Sequence, residues 1–498
     1  MNGPKTVVFG LDGFDFEYAE SLARAGVMPW LQSMSERGSL IKTSCVEFPG
    51  SEWVNAASGT DPAFHGYLHT EQLHSGTYET EQIDATVVQS EPFYVPIAKA
   101  GNQVVVVDLC VDRPRPTENL VQVIDWATEF KLYRHCTSPP TVGAQIPLHP
   151  LTNYGSTDTD ETNLIALKQK LIAGTRLKGE VIRGLLGTNP QWSLLFAGFC
   201  EIHKAGHFFW KYQDESHADF RGDRHPLANA LQALYSELDN QMQALASMGG
   251  EEANILLVAD RGMRAEYRGA HLLEDVLVRL GLLELSNPNV AAPTMADAHV
   301  AQPGKPNWTS RVAKRLPASI KSRLRRLSGR QRINWDRTKA FKIPDVGNTY
   351  LRLNLMGREP QGIVHTRDYD ALLDHIAAEF QSLTNPATGN RPVREVVFPH
   401  RTFRGPRAAQ LPDIGFVWRD TGPIEALESA SIGRVDGAVV PQRSGNHTEA
   451  GGMLVTGPSF RAGCRRPGDL RELAPTLYRL FDIAPSSAHQ LPAMSELH

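Results

Sequence analysis

The sequence predicts a doubly wound α/β fold, a mostly parallel sheet flanked by helices. Three observations point there. Short apolar runs rich in β-branched residues alternate with segments of helical period. Four acidic or imidazole-bearing stops punctuate the chain, and most of them follow an apolar run. The chain is 498 residues long and 41% hydrophobic, enough for a large core.

The elements follow in order. Thr6 to Leu11 reads as a first strand and stops at Asp12. Gln103 to Asp108, Trp192 to Phe199 and Asn254 to Ala259 read as further strands. Between the last two, Leu227, Leu231, Leu234, Leu238, Met242 and Leu245 form one stripe of an amphipathic helix. A second helix carries Tyr369, Leu372, Leu373, Ile376, Phe380 and Leu383. Short apolar runs at Val396 to Phe398, Ile414 to Trp418 and Met453 to Val455 complete the set, and there is no internal repeat.

Glu201 and His203 follow the Trp192–Phe199 run, with His207 one helical turn further on. Asp260 ends ILLVAD, and His447 lies in SGNH just ahead of GGMLVTG. In a parallel α/β sheet the carboxyl ends of the strands share one edge, and ligands bind there. Carboxylates and imidazoles converging on that edge suggest a metal-assisted hydrolytic site.

The net charge of -4 gives no global pull toward nucleic acid or membrane. Five cysteines, far apart and with no C-x-x-C pair, fit a reducing compartment rather than a disulfide framework. MNGPKTVVFGLDG has no signal-peptide core, and no run approaches the roughly 18 apolar residues of a membrane span. The expectation is a soluble, cytoplasmic protein. The stretch from Ser286 to about Arg332 differs from its surroundings. From Arg311 to Arg332 it is basic, with apolar residues at near-helical spacing interrupted by Pro317. A solvated linker helix is the plain reading. A patch for an anionic substrate and an interfacial membrane contact through 311–332 are the alternatives.

Several blocks together carry a resemblance. They are VVFGLDGFD; Gly26 to Leu31 and Gly38; PGSEWVNAASGTDPAFHG from Pro49 to Gly66; EIHKAGHFFW; ADRGM; Leu351 to Val364; SGNHTEAGGMLVTGP; and LAPTLYRLF. In this order the chain resembles the alkaline phosphatase superfamily, specifically its type I phosphodiesterase/nucleotide pyrophosphatase branch. The resemblance implies one alkaline-phosphatase-like α/β core over 1–498, with cap insertions at about 67–190 and 264–442 that choose the substrate. It also implies a two-metal phosphoester hydrolase whose Ser or Thr nucleophile is phosphorylated and then hydrolysed.

Position by position, Asp12 matches the first-strand metal ligand; its plain alternative is a helix N-cap. His207 matches a histidine of the first metal site. His203 stands where the family has an Asp, one helical turn earlier, so both side chains can face one ion. Glu201 is the candidate for the missing carboxylate, and His447 matches the late ligand. Asp260 matches the Asp of an Asp-His pair, but its partner is Arg261. Arginine cannot ligate a cation; its planar fork can instead hold phosphoryl oxygens.

The nucleophile position falls on Pro49, which has no nucleophilic atom. Ser51, two residues on and at an expected helix N-terminus, is the best substitute as nucleophile and metal ligand, or else a simple cap. Thr43 and Ser44 are remote alternatives, and attack by water without a covalent intermediate is another. A sulfatase reading fails, because Cys45-Val46-Glu47-Phe48-Pro49 is not C-x-P-x-R. His65 reads as a structural anchor and His69 as a weak candidate for substrate contact. Trp126, Tyr133, Trp335, Arg352, Asn354 and Arg358 are candidate pocket residues.

The function expected is hydrolysis of a small-molecule phosphoester, with a diester or pyrophosphate preferred. One or two divalent ions are expected, Zn first and Mn second. Neither nucleic acid nor a membrane span is expected. The alternative is an altered family member, acting as a phosphoryl transferase or as a non-catalytic binding or regulatory protein.

Overall fold

At the centre of the molecule the strand Thr6–Leu11 is buried along its whole length and pairs in parallel with Trp192–Phe199 on one side and Asn254–Ala259 on the other. The computed structural model describes residues 4–45, 50–128, 133–152, 160–265, 267–286, 333–343, 350–418, 422–437 and 443–498. Pro49 and the basic segment 311–332 lie outside the described residues.

Among the described residues, nine strands make the main sheet. Their spatial order is Arg465–Gly468, Ser39–Ser44, Ala450–Thr456, Asn254–Ala259, Thr6–Leu11, Trp192–Phe199, Gln103–Val107, Leu120–Ile124 and Cys136–Ser138. The five strands from Asn254–Ala259 to Leu120–Ile124 are mutually parallel. Ala450–Thr456 runs antiparallel to both its neighbours, and Cys136–Ser138 is antiparallel to Leu120–Ile124. The expected mostly parallel sheet flanked by helices is present.

Period-two alternation sends the side chains of each strand to two separate cores. Val7, Phe9 and Leu11 enter the first, against the helices Glu161–Thr188, Glu201–Gln213 and Ala230–Ser247. Val8 enters the second, with Trp53 of the short helix Glu52–Ser58 and Leu473 and Leu477 of the helix Leu473–Leu480. Each fully buried Leu, Val or Phe contributes about 1.5–3 kcal/mol, so the strands bearing the site are among the firmest parts of the chain.

The insertions differ from expectation. Much of the span 67–190 belongs to the core: the strands Gln103–Val107, Leu120–Ile124 and Cys136–Ser138 extend the main sheet, and the 28-residue helix Glu161–Thr188 covers one face. Buried Leu164, Leu167, Leu171, Ile182 and Leu185 mark its stripe, but Gly174, Gly179 and Lys178 are buried on the helix too and disguise the apolar pattern. The described residues within 264–442 include strands that lie outside the main sheet. There the strands Ala340–Lys342, Tyr350–Leu353, Ile414–Trp418 and Val393–Val397 form a four-stranded sheet with its own apolar core, joined by the helix Tyr369–Ser382.

Candidate active site

Strand register alone assembles the floor of the site. Leu11 lies opposite Phe199 and Ala259, so the next residues, Asp12, Cys200 and Asp260, emerge side by side at one edge. The amide of Asp12 donates to the Phe199 carbonyl (3.1 Å), and the amide of Gly13 donates to Asp260 Oδ1 (2.8 Å). Gly13 has φ +70°, and a Cβ there would lie 2.9 Å from the Cα of His203. Glycine therefore permits both the left-handed turn and the close approach of the next helix.

That helix, Glu201–Gln213, starts at the end of its strand and carries His203 and His207 four residues apart on one face. His447 comes from a short antiparallel ribbon in which it pairs with Met263. Gly445 of the same ribbon packs against the backbone of Gly206, and a Cβ would collide with the Gly206 carbonyl oxygen. The absent side chain lets the ribbon press His447 against the two helical histidines.

The three imidazoles converge through their Nε2 atoms. His203 Nε2 is 2.9 Å from His207 Nε2 and 3.2 Å from His447 Nε2. On the far side of its ring, His203 donates from Nδ1 to Asp12 Oδ2 at 2.8 Å. His207 donates from Nδ1 to the Gly445 carbonyl at 2.8 Å. With their protons on Nδ1, both rings present lone pairs at Nε2, and these face each other. A shared proton or a metal ion between them relieves this contact, and the guanidinium of Arg443 also reaches His207 Nε2, from 3.0 Å. Burial, Arg443 and His203 push His207 well below the ordinary imidazole range; burial, Arg261 and His203 do the same to His447. Neutral imidazoles are the ligand form. The donor set therefore fits a divalent cation, and Asp12 and Gly445 orient two of its ligands.

The expected ligands divide accordingly. His203, His207 and His447 come together. Asp12 adjoins them through His203. Burial would raise its carboxyl, but the adjoining His203, which also donates a hydrogen bond to it, and a hydrogen bond with Asp260 outweigh this and hold it below the usual range. Asp260 lines the same cleft with its carboxyl pushed well up by burial, Asp12 and Glu52.

Glu201 is a correction. It does not join the histidines but faces the other way, 3.1 Å from both Lys178 Nζ and His149 Nε2 in a fully buried cluster. As the first residue of the helix, Glu201 lies about 160° round from His203, so its carboxylate cannot share the histidine face. Burial opposes its charge, yet Lys178 and His149 hold its carboxyl down at about 2.

Arg261 lines the cleft and pairs through Nε with Glu52 Oε1 at 2.8 Å, both side chains being buried. Glu52 in turn accepts from the Gly50 amide at 2.7 Å. An acid after Ser51 was visible in GSEW, yet nothing marked it as the partner of Arg261. Ser51 does stand at the N-terminus of the helix Glu52–Ser58, but its side chain makes no capping hydrogen bond and is fully buried. Gly50 and Glu52 on either side of it line the cleft; Ser51 does not. Thr43 is buried within its strand.

Arg443 was missed. It lines the cleft and directs Nη1 at His207 Nε2 from 3.0 Å. Its signal was one of position alone, four residues before His447. His69 also lines the cleft, whereas buried His65 anchors Asn55 at 2.8 Å. None of Trp126, Tyr133, Trp335, Arg352, Asn354 and Arg358 lines it. Arg352 and Arg358 are tied to Glu359 (2.6 and 2.9 Å), and Trp335 stacks on Tyr78.

The sequence profile described as type I phosphodiesterase / nucleotide pyrophosphatase matches residues 6–379. The search of curated proteins finds no match. Among solved structures, the chain is similar to phosphonoacetate hydrolase from Sinorhizobium meliloti 1021 in complex with phosphonoformate. That likeness has 17% identity and a TM-score of 0.49, and covers 97% of this chain and 96% of the other. A second is murine ectonucleotide pyrophosphatase / phosphodiesterase 5, at 12% identity and a TM-score of 0.48, covering 98% and 97%. With its profile match running through the first strand, the histidine helix and Asp260, the chain belongs to the type I phosphodiesterase / nucleotide pyrophosphatase family.

Proposed function

We propose that the protein is a metal-dependent phosphoric-ester hydrolase acting on a small phosphodiester or pyrophosphate, with one divalent cation held by His203, His207 and His447. The supporting observation is the convergence of three buried imidazoles, with His207 Nε2 at 2.9 Å and His447 Nε2 at 3.2 Å from His203 Nε2, while Asp12 and the Gly445 carbonyl engage Nδ1 of His203 and His207. Three imidazoles favour Zn over Mn, since Mn prefers oxygen donors. When bound, such an ion supplies Lewis acidity toward a phosphoryl oxygen and acidifies water.

The chain's own residues supply the rest. Arg261 and Arg443 present guanidinium groups to the cleft, where they bind phosphoryl oxygens and stabilise the negative charge that grows during transfer. Glu52 fixes the Arg261 side chain, so the positive charge stands where the family places a second histidine ligand. Asp12 holds the Nδ1 proton of His203 and keeps its Nε2 free for ligation. Ser51 is enclosed away from the cleft, which favours attack by water over a phosphoserine intermediate.

Hydrolysis of bis(p-nitrophenyl) phosphate by chelator-free protein, combined with elemental analysis, tests this reading. His207→Ala is expected to lose the histidine-held ion and the activity together, while Ser51→Ala keeps most of the rate. Full activity in His207→Ala removes the site assignment. A phosphorylated Ser51 trapped from wild type removes the water route. Failure of wild type to take up Zn or Mn favours a binding or regulatory protein on the same fold.

A further inference from the structure

We propose that Asp12, Cys110 and Cys200 form a second cation site, for a soft divalent metal, beside the three-histidine cluster. Parallel strands bring the two thiols together. Cys200 directly follows Phe199, Cys110 lies three residues past Val107, and Val107 sits opposite Ala197 in the paired strands. Their Sγ atoms are 3.5 Å apart, and Cys110 Sγ is 4.0 Å from Asp12 Oδ2. One donor atom from each of the three residues lies within 4.8 Å of the others.

The spacing suits coordination. Thiolates bind Zn at about 2.3 Å and carboxylates at about 2.0–2.2 Å, so donors around a tetrahedral ion stand roughly 3.5–4 Å apart. Asp12 Oδ2 already accepts from His203 Nδ1, and a carboxylate oxygen keeps a second lone pair for a metal. Asp12 and Cys110 both line the cleft, which supplies an entry path and access for a ligand from solvent. All five cysteines are free thiols.

Binding replaces two S–H bonds with two metal–sulfur bonds and adds one metal–oxygen bond; the two thiol protons pass to solvent. Two thiolates make this site softer than the three imidazoles, so it selects Zn or Cd over Mn or Mg. The inference goes beyond the histidine-held ion and uses separate residues, apart from Asp12, which orients His203.

Full-length protein, reduced, stripped of metal and reloaded with Co(II), provides the test through its absorption spectrum and its metal content. Wild type is expected to bind two ions per chain and to show sulfur-to-cobalt charge-transfer absorption in the near ultraviolet. Cys110→Ala is expected to lose that absorption and one ion while keeping the d–d bands of the histidine-held ion. His207→Ala is expected to lose one ion and keep the charge-transfer absorption, so failure of the histidine site is read separately. Wild-type protein without charge-transfer absorption overturns the inference, and no variant need fold for that result. So does an unchanged metal content in Cys110→Ala, or a thiol titration showing Cys110 and Cys200 joined as a disulfide under these conditions.

Discussion

His203 Nδ1 lies 2.8 Å from Asp12 Oδ2, joining the first strand of the sheet to a histidine 191 residues later. The carboxylate fixes both the orientation and the tautomer of a ring whose Nε2 faces two other imidazoles. Removing such a partner typically weakens metal affinity about 10–100-fold. Asp12→Ala, made in a Cys110→Ala background so that only the histidine-held ion is counted, is predicted to show that loss. Competition with a chromophoric chelator measures it, and unchanged affinity would show that Asp12 does not position His203.

Lys178 is fully buried beneath the site. Its Nζ lies 2.9 Å from Asp108 Oδ2, 2.9 Å from the Gly198 carbonyl and 3.1 Å from Glu201 Oε1. Breaking a buried network by deleting one partner leaves the other charges uncompensated, at a cost of about 3–5 kcal/mol. Lys178→Met is predicted to lower stability by that amount in urea unfolding. A loss below about 1 kcal/mol would mean that the cluster neutralises by protonation instead.

Arg443 is only partly buried and lines the cleft, so its removal should leave the fold intact. Losing a positive group aimed at developing phosphoryl charge commonly costs about 10²–10³ in kcat. Arg443→Ala is predicted to fall in that range with the melting temperature unchanged, and Arg443→Lys to recover only part. A change confined to KM would assign Arg443 to ground-state binding instead.

Asp112 gives a pH dependence away from the histidines. It is buried, and its Oδ1 accepts from Tyr94 at 2.6 Å and from the Arg113 amide at 2.8 Å. Burial outweighs these bonds and raises its carboxyl from 3.8 to about 6. Between those values the folded state holds a proton that the unfolded state has lost. The contribution is therefore fully present below 3.8 and is lost as the pH rises through about 6. It amounts to about 3 kcal/mol at most. Unfolding free energies of wild type and Asp112→Asn across this window are predicted to diverge, with the wild-type slope more negative. Parallel curves would contradict the shift.

The central strands were legible in the sequence because Thr6–Leu11, Trp192–Phe199 and Asn254–Ala259 are near-continuous apolar runs, the pattern of strands buried on both faces. The helix Glu161–Thr188 was not read, since buried Lys178 and two glycines lie among its apolar positions. Their place becomes sensible only against their partners: Gly174 faces the His149 ring and Gly179 faces Gln241. The extent of the first insertion was misjudged for the same reason.

By itself, the sequence determined the fold class, the family resemblance and the strand ends where chemistry gathers, because hydrophobic period and motif order are local, linear signals. Tertiary structure decided which of those residues meet. It gave His203 to Asp12, turned Glu201 to Lys178, paired Arg261 with Glu52, enclosed Ser51 and set Cys110 against Cys200. Each outcome depends on strand register, helix phase or loop approach. Those quantities are fixed by packing between segments as far apart as His203 and His447, 244 residues, and no single window of sequence contains them.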